Sequence, residues 1–93
     1  MIIETESKTS NVFSTMTSFK REYKILKENL KEQLHINRLP KLQNIFLLRG
    51  ELLHNGVFLN ITKGTKENMM QYIKDHKNIN FKLVLLPCTI RKK

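Results

Sequence analysis

LPKLQNIFLLRG, residues 39–50, opens on the first of only two prolines and closes on a nearly unbroken apolar run. Pro40 removes a backbone donor and biases Leu39 away from the α region, so a helix arriving from the N-terminal side should stop before it. Asn44 to Arg49 then reads as a short, buried strand. Such a strand needs a cover, and the helical pattern before it supplies one. A rival reading makes Lys41 to His54 a helix through Leu42, Ile45, Leu48 and Leu52, but places Gly50 awkwardly in its middle.

Upstream, residues 1–10 are polar and read as a flexible N-terminus. Ser10 or Asn11 could cap a helix. Val12, Met16, Phe19, Tyr23, Leu26, Leu30 and Leu34 follow at spacings of three and four, one apolar stripe along a helix. Lys20, Lys24, Lys27 and Lys31 lie on another face, with Glu28 and Glu32 among them. The stripe suits packing on the chain's own sheet better than a dimer seam. His35 to Arg38 should end the helix.

Downstream, Asn55-Gly56 is a hairpin signal, since both residues tolerate the positive φ of a type I′ turn. Glu51 to His54 and Val57 to Ile61 would be its arms. Lys63-Gly64 breaks the second arm. Thr65 is a candidate N-cap for a helix from Lys66 to about His76, with Glu67 favourable in its first turn. That helix would bury Met69, Met70 and Ile73, with Tyr72 alongside. After a turn at residues 78–80, Phe81 to Leu86 reads as a second apolar strand, limited by Pro87.

The expected fold is α+β: a long N-terminal amphipathic helix and a second helix packed on a small sheet. Residues 11–93 would form a single small α+β domain. Its core should contain Leu26, Leu30, Ile45, Leu47, Ile73, Leu83 and Leu85.

A chain of 93 residues makes one domain at most. It buries roughly 60–65% of its unfolded surface, enough for one small core. No apolar run approaches the roughly 18–20 residues of a membrane span, so no membrane partner is expected. The opening MIIETESKTSN carries Glu4 and Glu6, which fits neither a secretory signal nor a mitochondrial presequence. Cys88 is the single cysteine and rules out an internal disulfide.

Residues that carry chemistry are sparse. With only Gly50, Gly56 and Gly64, there is no phosphate-cradling glycine loop. His35, His54 and His76 lack metal-ligand spacing and read as surface or helix-end residues. Cys88 reads as a small packing residue. Asp75 is the only aspartate, which leaves little for acid–base dyads. The expectation is a non-enzyme with no catalytic residues, no metal, no cofactor and no small-molecule substrate.

Charge carries the functional signal. The net charge is +9. Residues 1–37 hold six Lys/Arg and five Asp/Glu, whereas residues 38–93 hold eleven and three. A small domain with one-sided positive charge is the footprint of a polyanion binder. Arg38, Lys41, Arg49, Lys63, Lys66, Lys82, Arg91, Lys92 and Lys93 are the candidate RNA-binding residues. Arg38 and Lys41 flank the proline entry. Lys63 and Lys66 flank a glycine turn at a helix N-terminus, where backbone N–H groups also favour phosphate. Arg91, Lys92 and Lys93 form a basic tail. Lys, Asn and Ile make up 31 of the 93 residues, and Ala and Trp are absent. That bias is typical of A+T-rich coding DNA, as in organelles, viruses and phages, and it enriches lysine by drift alone.

FKREYKILKENLKEQLHINRLPKLQNIFLL, residues 19–48, resembles the opening of the universal large-subunit ribosomal protein five family, the 5S-rRNA binders. The family's helix with a Lys-x-x-Tyr-Lys flavour corresponds to Tyr23-Lys24. Its Asn-containing linker corresponds to Asn37, and its Pro-x-Leu-x-x-Ile strand entry to Pro40 through Leu42 to Ile45. The likeness covers residues 19–93 in order and the first half of a usual member. GELLHNGVFLNITKG, residues 50–64, replaces the family's glycine-containing segment, and the family's second half is absent. Val57 to Lys93 also resembles the first half of small-subunit ribosomal protein ten, through Leu86, Pro87, Thr89 and Arg91 to Lys93.

Either resemblance implies a shortened ribosomal protein whose partners are rRNA and neighbouring ribosomal proteins. With the A+T bias it implies a mitochondrial, organelle-encoded chain without a presequence. The alternative is a small viral or phage regulatory protein in the infected cell cytoplasm, binding a protein partner through its amphipathic helix.

Overall fold

The computed structural model describes residues 2–3, 7–35, 42–43, 45–86 and 88–90. Its first helix, α1, spans Met16–Leu34. Thr15 caps it, rather than Ser10 or Asn11. The Thr15 backbone is extended, and its hydroxyl accepts the Ser18 N–H at 3.1 Å. His35 ends the helix in the left-handed region at φ 54°, and its N–H returns to the Glu32 carbonyl at 3.2 Å.

The apolar stripe of α1 is used within the chain. Phe19, Leu26 and Leu30 are buried, and Met16, Tyr23 and Leu34 pack against the same core. Glu22 is buried beside them. Val12 lies before the helix and is exposed. Its neighbour Phe13 is buried instead, bridged to Phe81 by hydrogen bonds of 2.9 and 2.6 Å.

The stretch at residues 39–50 enters the sheet, as its apolar end implies. Strand β3 is Leu42–Gln43 and strand β4 is Phe46–Glu51, which excludes a continuous helix over residues 41–54. Strand β5, Leu59–Lys63, returns antiparallel to β4. The connection is wider than a two-residue turn at Asn55-Gly56. The arms begin only at Glu51 and Leu59, and positive φ falls at His54 (51°) and Gly56 (82°).

Side chains rather than ladder bonds hold this loop. The Glu51 carboxylate accepts both the Gly56 N–H and the Asn80 side-chain amide, and the Asn55 side-chain oxygen accepts the Val57 N–H at 3.0 Å. A carboxylate at the strand end thus competes with further pairing of the backbone.

Helix α2, Lys66–Asp75, follows Thr65 as expected, although the Thr65 side chain makes no capping bond. It buries Met69 and Ile73, while Met70 and Tyr72 pack at the margin of the core. Strand β6, Asn80–Leu85, completes the centre of the sheet. Part of the segment expected to precede the domain is also strand. Lys8–Thr9, here β2, pairs with Leu85 and Val84 of β6.

The main sheet therefore has the order β2-β6-β4-β5, with every neighbouring pair antiparallel. It follows that β2 and β4 run parallel with β6 between them, and that β5 and β6 run parallel with β4 between them. Each helix carries the chain from one strand to a parallel strand two places along. Ile2–Ile3 (β1) and Cys88–Ile90 (β7) form a separate small sheet with β3, in the order β1-β7-β3.

Both helices lie on one face of the main sheet. Phe46 and Leu48 of β4 share that face with Phe81, Leu83 and Leu85 of β6, and all five are buried with the helix residues. The seven residues expected in the core are all buried. Leu47 is buried on the opposite face, since its register partner is Val84 and not a core-facing residue. At roughly 1.5–3 kcal/mol per fully buried large apolar side chain, this single cluster is the main stabilising term.

Gly50 has a packing reason to be glycine. A β-bulge between Leu48 and Arg49 makes Ile61 of β5 an extra residue, and Ile61 packs against the core. A Cβ at Gly50 would stand 2.5 Å from the Ile61 Cδ1. Glycine in one strand thus makes room for the bulged side chain of the next.

Candidate nucleic-acid interface

The face of the main sheet away from the helices carries the candidate site. Strand alternation puts Leu47, Arg49 and Glu51 of β4 on this face. The register adds Lys63 beside Leu47, Asn60 and Lys82 on either side of Arg49, and Asn80 beside Glu51. Lys82, Arg49 and Asn60 form one row across three adjacent strands. Lys63 stands one row further along, about 7 Å away by strand geometry.

The bulge decides whether these residues meet. Under strict alternation along β5, Asn60 and Lys63 would face opposite ways. The extra residue, Ile61, reverses the parity, so both join Arg49. Phe58, immediately before β5, follows the alternation of Asn60. Its ring lies 4.8 Å from the Lys82 ammonium, a cation over an aromatic face.

The Arg49 guanidinium donates through Nε to the Asn60 Oδ1 at 2.9 Å. Its partner among the described residues is a neutral amide, which orients the side chain without neutralising its charge. Among the described residues Glu51 is the acid on this face, with one carboxylate oxygen engaged by Gly56 and the other by Asn80. Lys63 is exposed, and Arg49, Lys82 and Phe58 are half-buried. Among the described residues the result is a cationic surface that carries the Phe58 ring and the oriented Arg49 guanidinium, the side-chain types that meet phosphates and base faces.

Three of the nine candidate residues, Arg49, Lys63 and Lys82, come together here. Lys66 does not join them. It opens α2 in the helix layer, where its ammonium lies 5.0 Å from the centre of the Tyr23 ring. The Tyr23 hydroxyl is held above its ordinary pKa of 10.0, first by burial and then by the nearby Glu67 carboxylate. Arg38, Lys41, Arg91, Lys92 and Lys93 lie outside the described residues.

Phe58 and Asn60 belong to the site and escape a search for positive charge. The signal that could have found them is the period-two pattern of VFLNITK, which sets the two residues on the same side of a strand. Lys63 joining them depends on a bulge that the sequence does not announce.

The remaining chemistry is dispersed. His35 and His76 sit at helix ends, and His76 stacks on Tyr72 with ring centres 4.0 Å apart. Among the described residues, no three His, Cys, Asp or Glu side chains gather as a metal site. A cleft of about 470 Å³ between the start of α1 and the end of α2 is lined by Ser14, Thr15, Met16, Ile73, Lys74 and Lys77, without an acid, histidine or thiol. Among the described residues no helix is long and apolar enough to cross a membrane.

Comparison of the chain with protein-family models, with curated proteins and with solved structures gives no match.

Proposed function

We propose that this chain is a structural RNA-binding protein, a shortened ribosomal component that docks on folded rRNA among neighbouring ribosomal proteins. The compositional bias supports a mitochondrial ribosome as its setting. The observation that carries the reading is the row Lys82, Arg49, Asn60, with Lys63 beside it, on the sheet face turned away from the helices, next to the buried Leu47 and Val84. Cations presented on a firm β-scaffold bind phosphate through counterion release, which gives affinity and position without sequence readout. The sequence resemblance to ribosomal protein five supports the same class of partner. No catalytic role is assigned to any residue.

The stripe of α1 is packed within the chain. That packing supports the RNA-binding reading over a viral or phage regulator that binds a protein partner through α1.

Sedimentation of the native protein from its own cells tests the proposal. The protein should travel with ribosomes at low salt and be released as salt rises, because phosphate contacts weaken steeply with ionic strength. A protein that stays in the unsedimented fraction even at low salt is not a ribosomal component.

A further inference from the structure

The residues on the sheet face away from the helices also bear on which form of RNA they would hold. Resting on the RNA-binding reading above, we infer that this face takes an unpaired segment of RNA, with a base stacked on Phe58 and the flanking phosphates on Lys82, Arg49 and Lys63.

Phe58 is the residue that distinguishes the two forms. Its ring is outside the core cluster, so the packing of the helices on the sheet does not call for it. It lies half-buried on the face away from the helices with Asn60, among the cations. A base inside a duplex has both faces occupied by its stacking neighbours and offers nothing to such a ring, whereas an unpaired base offers a free face. Lys82 lies over the ring at 4.8 Å. A lysine is a flexible point charge on a long stem, so turning to a phosphate uncovers the ring it lies over. Arg49 differs, because Asn60 fixes its plane at Nε and leaves the terminal nitrogens for a phosphate or a base edge.

The size of the patch agrees. Three neighbouring strands place Lys82, Arg49 and Asn60 across about 10 Å, the scale of a few splayed nucleotides. Duplex RNA is instead gripped at phosphates across successive grooves, over roughly 16 base pairs in the common double-strand-binding module. The loop leading to Phe58 is tied at its base by Glu51, through Gly56 and Asn80, which fixes the approach of the ring to the sheet.

The chain contains no tryptophan, so Phe58→Trp introduces a single fluorescent reporter at the proposed stacking position. The probes are a single-stranded oligouridylate of about ten nucleotides, within the usual range of single-strand site sizes, and a blunt RNA duplex of equal length. The single strand should quench the reporter and the duplex should not. In the otherwise unchanged protein, Phe58→Leu keeps an apolar side chain at the site. It should weaken single-strand binding about tenfold and leave duplex binding unchanged, while Phe58→Tyr should retain it. Circular dichroism and thermal melting confirm that each variant is folded. Equal binding of both probes with no effect of Phe58→Leu, or quenching by the duplex alone, overturns the single-strand assignment and leaves RNA binding standing. Absence of binding to either probe at low salt removes the RNA reading itself.

Discussion

At the scale of single residues, small side chains and turns set what the strands can do. Gly50 faces Ile61 across the bulge, with a virtual Cβ only 2.5 Å from the Ile61 Cδ1 and 3.5 Å from Phe81 and Ile79 atoms. Gly50→Ala should therefore push the end of the Ile61 side chain off its rotamer and cost up to about 1 kcal/mol in a urea unfolding experiment. Removing the offending methyl with Ile61→Val in the same chain should recover much of the loss. Additive losses in the double variant would mean that the two side chains do not compete for space. The sequence shows Gly50 only as an interruption of an apolar run. Its reason lies in a residue eleven positions on, brought opposite by a register that no local pattern encodes.

At the scale of elements, the helix periods were legible because burial of one face imposes them. The three-four spacing from Met16 to Leu34 marks α1, and Leu30 near its C-terminal end is fully buried. Leu30→Ala should cost about 2–4 kcal/mol of monomer stability by chemical denaturation, since the helix packs on its own sheet. A negligible loss would mean that α1 stands free. The start of α1 was harder to read. Val12 fits the period but is exposed, because Phe13 is drawn into a bridge with Phe81 and Thr15 supplies the cap.

The pairing of α1 with α2 carries a pH signature at Tyr23. Its pKa is raised above 10.0 by burial and by Glu67. The folded state therefore holds the phenolic proton more tightly than the unfolded chain. That contribution is complete below the unfolded pKa and is lost as pH rises through the folded one. Tyr23→Phe should flatten the fall of the thermal midpoint as pH rises above about 10, a tyrosine's ordinary pKa. An unchanged alkaline slope would remove Tyr23 as its source.

At the scale of the whole molecule, charge and fold class were readable, but the site's composition only in part. The asymmetry between residues 1–37 and 38–93 predicts a basic surface, and the apolar runs predict the sheet that carries it. Which cations share a face depends on the order β2-β6-β4-β5 and on one bulge, both set by long-range pairing. Hence Arg49, Lys63 and Lys82 meet, while Lys66, close to Lys63 in sequence, turns to Tyr23.

The most direct test of the binding face compares two triple variants of the full chain in RNA titrations across a range of salt. Changing Arg49, Lys63 and Lys82 together to Gln should weaken binding to a structured rRNA fragment by roughly 2–4 kcal/mol at moderate salt, and flatten the log–log salt slope by about two. Changing Lys20, Lys24 and Lys27 of α1 to Gln should do much less, with melting curves showing both variants folded. A larger loss from the helix variant, or an unchanged salt slope in the sheet variant, would contradict the sheet face away from the helices as the site of RNA binding.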